Sequence, residues 1–392
     1  MPKVLIISYY TPPIGMSGVM RITKLAKYLK KFGWQPSILT TKQIAYYHYD
    51  YELLNDLREI PIYRSENLDF ARLLYLIKIP QKLINHGTGK ISLFSNFFFF
   101  PDAKVFWIRF AYKLGCKIVS NFKPDVILAS APPFSSLIVA RWLKEKFQIP
   151  FIADFRDPWP TGTFPPPKSY QKKLRELRNM ITNNADAVTV VNRMTALQID
   201  FPNAYIIENG YDPDDFKLPA YDFSKFSIVY TGNISNYINE LCLTAEAVAS
   251  LPDIKIFLAG KSSAKDLAKL AQYGNVEYLG MLPHSKTVSL MKGASLLLYI
   301  SKPNQIVGIK LYEYFGAQKP ILGVCNKCNE AMRLIEYHNV GISVGCRKDE
   351  IRNAILQLKD NLTSFQPKDI DRYNRINQAA LLCSLMNRII GK

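Results

Sequence analysis

The feature that most constrains this chain is a repeating alternation of apolar run, turn and amphipathic helix. Val4 to Tyr9 is apolar, the loop "TPPIGMSG" follows, and Val19, Ile22, Leu25, Ala26 and Leu29 then share one helical face. Lys24, Lys27, Lys30 and Lys31 fall mostly off that face, Gly33 stops the helix, and "QPSILT" supplies the next strand. The pattern returns as "DVILAS", a helix over 135–147 and "PFIADF", and again as "DAVTVV", a short helix and "AYIIEN". A Pro- and Asp-rich stretch, "GYDPDDFKLPAYDFSKF", interrupts it and reads as a linker. Beyond that stretch the alternation restarts, with strands near "SIVYTG", "IKIFLAG", "VEYLG", "SLLLYIS" and "PILGV". A lone helix at about 368–390 closes the chain. Such alternation folds into parallel sheets covered on both faces, so two runs predict an α/β protein of two Rossmann-like, doubly wound domains facing a cleft.

With 392 residues, 48% apolar and 21% charged, the chain can bury two cores and is not of the disordered class. The longest apolar candidate for a membrane span, "ISLFSNFFFF", is about half the required length and is closed by Pro101-Asp102. The start "MPKVLIISYYTPP" lacks a small-residue cleavage site and reads as a first strand, which places the protein in the cytoplasm. Residues 1–200 hold 28 Lys and Arg against 14 Asp and Glu, whereas residues 201–392 hold 22 against 18. The basic excess therefore belongs to the first half and calls for an anionic partner there: a membrane surface, a lipid diphosphate or nucleic acid. Nucleic acid is set aside, because the basic residues follow no recognised module. Residues 45–123 break the alternation and are rich in aromatics and Lys/Arg, as in "YYHYDYELL" and "FFFFPDAKVFWIRFAYK". They read either as an irregular helical insertion packed on the sheet or as an amphipathic surface resting on a membrane, peripheral to its inner face.

Ligands of open α/β sheets sit beyond the C-terminal ends of the strands, so the strand-end loops carry the candidate chemistry. In "QIVGIKLYEYFGAQKPIL" (305–322), Gly308 and Ile309 open a helix, Lys310 lies in its first turn, and Glu313 follows one turn later. A helix N-terminus offers unpaired N–H groups and partial positive charge to a diphosphate, and a carboxylate one turn on can accept both hydroxyls of a ribose. An ordinary surface carboxylate would give the same local pattern. Gly232-Asn233 and Gly260-Lys261 are further strand-end glycine turns in the second half. In the first half Gly15, Ser17 and Gly18 precede a helix carrying Arg21, a pattern shared by phosphate loops and plain tight turns. After "PFIADF" come Arg156, Asp157, Pro158 and Trp159, where Asp157 can orient an acceptor hydroxyl or take its proton beside Arg156 as an anion partner. An Arg–Asp pair bracing the loop would use the same residues. Asp212 to Asp215 ("DPDD") looks like a metal-binding acidic run but contains Pro213 and reads as turn capping. Cys325 and Cys328 are half a zinc site with no second half, and His48, His86, His284 and His338 lack ligand spacing, so neither a metal nor a cofactor is expected.

Taken together, "SYYTPPIGMSGVMR", "KPDVILASAPPFSSLIVARWLKEKFQIPFIADFRDPW", "ADAVTVV…IIENGYDPDDF", "IVYTGNIS" and "KLYEYFGAQKPIL" resemble glycosyltransferase family 4, the retaining GT-B enzymes, particularly those that build bacterial surface polysaccharides. The matching pieces run through most of the chain in the family's order. The resemblance implies an acceptor-binding domain over 1–216, a donor-nucleotide domain over 217–373, and a terminal segment, 374–392, crossing back onto the first. It also implies a nucleotide-diphosphate-sugar donor, UDP-sugars foremost, a glycan or lipid-linked acceptor, and no metal at the reaction centre. The donor set would be Gly15, Ser17, Gly18, Arg21, Gly232, Asn233, Gly260, Lys261, Gln305, Gly308, Ile309, Lys310 and Glu313, and the catalytic set Asp157, Arg156 and Glu313. Two departures stand out. Where the family often has the first of two glutamates the chain has Gln305, and the loop after "YTGN" reads "ISNYINE", without the usual Arg and Lys. Lys261, Lys310 and Arg21 are then the cations left for the diphosphate. A GT-B sugar-nucleotide 2-epimerase and a non-catalytic sugar-nucleotide-binding subunit are the alternatives.

Overall fold

The computed structural model describes residues 1–79, 99–159, 168–303, 305–362 and 365–392. They form two compact units: Met1–Asn209 with Ile376–Lys392, and Gly210–Arg375.

In the first unit, strands β1 (Lys3–Ile7), β2 (Gln35–Thr41), β3 (Ile62–Ser65), β4 (Val126–Ala131), β5 (Phe151–Phe155), β6 (Ala187–Val190) and β7 (Tyr205–Ile206) make one sheet in the order β3-β2-β1-β4-β5-β6-β7. Every pairing is parallel. Val4 to Ile7 and Phe151 to Ala153 are fully buried, as continuous apolar strands must be when helices cover both faces. The helix Ser17–Leu29 buries the expected stripe on β1 and β2, but Lys24 is buried with it. The Lys24 ammonium reaches Asp56 at 2.8 Å, so this lysine holds the 3₁₀ turn Glu52–Leu57 and adds nothing to the surface charge. The terminal helix Arg375–Ile389 places Ala379, Leu382, Leu385 and Met386 in the same core as Val4 and Leu25.

Within 45–123, the described residues 45–79 and 99–123 are more regular than the irregular insertion expected from composition; the apolar run over 91–98 lies outside the described residues. They include β3, which extends the sheet in parallel from β2, and the helix Ile108–Phe122, which buries Ile108, Ala111, Gly115, Ile118 and Val119. β3 escapes a periodicity reading because "IYRS" is four residues long, half polar and on the sheet edge.

The second unit contains β8 (Phe226–Thr231), β9 (Ile254–Ala259), β10 (Val276–Gly280), β11 (Leu296–Ile300), β12 (Ile321–Val324) and β13 (Gly341–Val344) in the order β10-β9-β8-β11-β12-β13. All pairs are again parallel. β13, from "GISV", is one strand more than the sequence pattern suggested. The stretch read as a linker is packed structure of this unit. Tyr211 is buried, a Cβ on Gly210 would collide with the Tyr373 carbonyl, and the Tyr221 N–H donates to Ser289 O.

Both strand orders reverse direction once, between β1 and β4 and between β8 and β11. These are the topological switch points at which doubly wound sheets open a crevice.

Candidate functional site

In the second unit, the loop after β8 and the loop after β11 flank the switch point, and the loop after β9 lies beside them. Gly232 (φ +153°) and Gly260 (φ +137°) both lie where a side chain is disfavoured, and a Cβ on Gly260 would strike the Gly232 carbonyl. Strand ends this close demand glycine. Gly232 N–H donates to Ala259 O at 2.9 Å and Ile234 N–H to Lys261 O at 2.8 Å, so the two turns form one bare backbone ledge. The buried Asn233 Oδ1 has no hydrogen-bond donor among the described residues. Lys261 is half-buried on this ledge, and burial lowers its ammonium from the usual range.

On the other side of the switch point, Gly308 is the N-cap of the helix Ile309–Ala317 and supplies no side-chain cap. Its N–H donates to the buried Tyr299 hydroxyl at 3.3 Å, which fixes the angle at which the helix begins. Gln305 Oε1 accepts from the Tyr237 hydroxyl at 2.6 Å and from the Lys302 N–H at 3.1 Å. That amide is committed to shaping the loop. Glu313 is only 6% exposed, and its Oε2 stands 2.8 Å from the Lys310 ammonium without a well-directed hydrogen-bond donor among the described residues. Burial alone raises this carboxyl. Lys310 and then His284 outweigh burial and draw it below the usual carboxylate range, against opposition from Asp215. His284 Nε2 lies 2.7 Å from Asp215 Oδ2. Sequence spacing singled out neither residue for this position, since they are 69 apart and no motif joins them.

The structure therefore brings Gly232, Asn233, Gly260, Lys261, Gln305, Gly308, Ile309, Lys310 and Glu313 to the C-terminal end of one sheet. A helix N-terminus with uncapped N–H groups, an adjacent ammonium and a buried carboxylate form an arrangement that accepts a phosphate and a diol together.

The first unit has the same topology and a different electrostatic outcome. Arg21 is buried, with Nε 3.1 Å and Nη2 2.8 Å from the two oxygens of Asp154, and Nη1 3.0 Å from Glu208 O. Ser130 and Thr189 donate to the same carboxylate at 2.7 and 2.8 Å. Burial pushes Asp154 upward, but Arg21 and these hydroxyls hold it below the usual range. The expectation that Arg21 meets a diphosphate is corrected here: its charge is consumed by a core carboxylate that the sequence reading passed over. Arg156 is corrected as an anion partner for a similar reason, because its guanidinium donates to the carbonyls of Ala131, Pro132 and Gly18. The two glycines also have structural reasons. A Cβ on Gly18 would lie 3.1 Å from the Arg156 guanidinium, and one on Gly15 would collide with the His48 ring. Ser17 begins the helix that follows. Asp157 is exposed; the protein around it lifts its carboxyl above the usual range, with Arg156 pulling the other way. Trp159 is buried and stacks on Phe134 at 4.0 Å.

The cysteines are free, and the described residues hold no cluster of His, Cys, Asp and Glu able to bind a metal. Asp212, in the acidic run, accepts from the Asp214 N–H at 2.9 Å and so caps its own turn. No helix of the described residues is long and apolar enough to cross a membrane.

No protein-family model matches the chain, and no curated protein sequence is similar to it. Solved structures do share its fold. The Anabaena protein Alr3699/HepE, in complex with UDP and glucose, is 15% identical with a TM-score of 0.64, covering 99% of this chain and 100% of that one. Sucrose-phosphate synthase from Thermosynechococcus elongatus is 14% identical, TM-score 0.65, over 100% of both chains. A putative UDP-N-acetylglucosamine 2-epimerase from Listeria monocytogenes is 13% identical, TM-score 0.62, over 100% of this chain and 97% of that one. The fold is thus that of the GT-B proteins, two Rossmann-like units with parallel sheets of seven and six strands.

Proposed function

We propose that this protein is a retaining glycosyltransferase that moves a sugar from a nucleotide-diphosphate donor, a UDP-sugar foremost, to a glycan or lipid-linked acceptor in polysaccharide biosynthesis. The observation that carries the proposal is Glu313, a buried carboxylate one turn into a side-chain-uncapped helix at a switch point, paired at 2.8 Å with the partly exposed Lys310. A ribose diol donates to that carboxylate, and the helix N-terminus with Lys310 receives the diphosphate, whose charge grows as the sugar leaves. The unit Gly210–Arg375 is then the donor side. On the unit Met1–Asn209, Asp157 orients the acceptor hydroxyl, and its carboxyl is raised by burial against the pull of Arg156.

A cytoplasmic, membrane-peripheral setting has its own support. In the helix Phe70–Leu76 the usual arrangement is inverted: Arg72 is buried, while Phe70 is 65% exposed and the adjoining Ile77 67% exposed. Leu68, Leu73 and Leu76 are exposed beside them. Such a face, in the more basic half of the chain, suits an anionic lipid surface.

A second reading, a sugar-nucleotide 2-epimerase, is favoured by the shared fold of a structure described as a putative UDP-N-acetylglucosamine 2-epimerase, from Listeria monocytogenes. Incubation with a panel of UDP-sugars, followed by mass spectrometry and NMR, separates the two. A transferase releases UDP and lengthens an acceptor with the anomeric configuration kept. An epimerase converts one UDP-sugar into another, and that result would replace the proposal.

A further inference from the structure

A cavity of about 550 Å³ opens in the unit Gly210–Arg375 at the N-terminal ends of β8, β9 and β10, the end of the sheet away from Gly232, Gly260 and Gly308. Lys225 precedes β8, Ile254 and Lys255 open β9, and residues 272–275 lead into β10. Its volume is that of a small-molecule site. Three aromatic rings line it: the centres of Tyr221 and Phe223 are 4.6 Å apart, and those of Phe223 and Phe257 4.5 Å. Tyr221 is 50% exposed, yet its backbone is fixed to the helix His284–Gly293. Its N–H donates to Ser289 O at 2.9 Å, and its carbonyl occupies the space that a Cβ on Gly293 would need. Core packing does not account for an aromatic ring held half in water on a pinned backbone. The charges around the rings balance, with Asp222 and Glu277 set against Lys225 and Lys255. Lys255 pairs with Glu277 and lies 5.3 Å from the centre of the Phe257 ring, while the Lys225 ammonium donates to Pro252 O at 2.8 Å. Gln272 and Asn275 add two amides. Asn275 Nδ2 donates to Ala245 O at 3.0 Å, and its buried Oδ1 has no donor among the described residues.

We infer that this cavity is a second binding site, separate from the donor loops, for a neutral oligosaccharide. A sugar ring has an apolar C–H face and a rim of hydroxyls that both donate and accept. The cavity offers the counterpart of each: the faces of Tyr221 and Phe223 for the ring, and the Gln272 amide with the Lys255–Glu277 pair for the hydroxyls. The donor that Asn275 Oδ1 lacks is a sugar hydroxyl, or a water that a bound sugar holds in place. A nucleoside diphosphate or a nucleic acid needs surplus positive charge, and here both ammonium groups are answered by carboxylates and a carbonyl. None of the lining residues lies at the C-terminal end of a strand, so the site takes no part in transfer. On the transferase reading it keeps a glycan attached between transfers. The binding itself does not rest on that reading.

The test is saturation-transfer NMR of the full chain with maltohexaose, cellohexaose and chitohexaose, alongside Tyr221→Ala, Tyr221→Phe and Gln272→Ala. Tyr221 and Gln272 are both exposed, so the variants should fold, and thermal melts check that they do. At least one of the oligosaccharides is expected to bind, with saturation strongest on its ring C–H protons. Tyr221→Ala should weaken that binding by about three- to tenfold, Gln272→Ala by less, and Tyr221→Phe should restore most of it because the ring face is kept. UDP affinity by calorimetry should be the same in all four proteins. An oligosaccharide held equally by the unaltered chain and by Tyr221→Ala sits elsewhere and overturns the inference. Absence of binding by all three oligosaccharides also overturns it. Adenosine bound in their place, and released by Tyr221→Ala, overturns it in favour of a base-stacking pocket. Loss of UDP affinity in a folded Tyr221→Ala chain overturns the separation from the donor loops.

Discussion

The two switch points of this molecule share a topology and differ in what their polar groups have left to do. Beyond β1 and β4, the two arginines are used up by the fold itself. Arg21 is satisfied by Asp154 and Glu208 O, Arg156 by three carbonyls, and the two glycines by the bulk of His48 and Arg156. Beyond β8 and β11, Asn233 Oδ1 lacks a donor among the described residues, the buried Glu313 carboxylate is paired with the partly exposed Lys310, and the helix Ile309–Ala317 begins without a side-chain cap. Identical backbone geometry does not make two equal sites. A crevice becomes a candidate for binding when it keeps buried polar capacity that only a ligand can satisfy.

The sharpest way to break this comparison is to remove Asp154. If the first unit's charges are structural, Asp154→Ala leaves Arg21 buried without its carboxylate and should cost about 3–5 kcal/mol of stability, read by thermal or denaturant unfolding. The same pair sets a pH dependence. The folded Asp154 carboxyl is held below its unfolded value, so its contribution is complete above the ordinary carboxylate range and is lost as pH falls through the depressed folded value. Unfolding at progressively lower pH should show acid destabilisation that is much reduced in a folded Asp154→Asn chain. A flat profile in the unaltered chain would mean that this pair does not brace the core.

Glu313→Ala is the corresponding change in the second unit, with the opposite signature. It should weaken UDP by roughly ten- to a hundredfold, the equivalent of losing a charged hydrogen bond worth about 1.5–3 kcal/mol. The chain should still fold, because the ion pair that Glu313→Ala removes is with the partly exposed Lys310 and frees that ammonium to water. A large loss of stability with unchanged UDP affinity would make Glu313 another structural carboxylate. The smallest effect on folding is expected at the inverted helix. The double change Phe70→Ser, Leu76→Ser should alter stability by no more than about 0.5 kcal/mol, since both side chains face solvent. It should nevertheless abolish salt-sensitive sedimentation with anionic vesicles. Equal sedimentation of both proteins, or equal binding to neutral vesicles, would remove that helix from any lipid contact.

What could be read from sequence depended on how far apart the cooperating residues lie. Gly308, Lys310 and Glu313 form a contiguous loop-and-helix pattern, so their placement at one helix start is legible in the sequence. The strand alternation was visible because buried parallel strands are continuous apolar runs, while β3 and β13 were not, each four residues long and only partly buried. Arg21 was misread because its partner Asp154 lies 133 residues away, and a basic side chain after a glycine loop looks the same whether it meets a phosphate or a core carboxylate. Asp215 and His284 meet for the same reason only through the fold, since 69 residues separate them.

The central claim, that Glu313 reads a ribose diol at the β8/β11 switch point, is tested most directly by removing the diol from the ligand as well as the carboxylate from the protein. Calorimetry would compare UDP with 2′,3′-dideoxy-UDP on the unaltered chain and on Glu313→Ala. The account predicts that the dideoxy ligand binds the unaltered chain more weakly, by about the factor that Glu313→Ala costs UDP, and that Glu313→Ala no longer distinguishes the two ligands. Undiminished discrimination by Glu313→Ala would contradict it, because the hydroxyls would then be held by some other group.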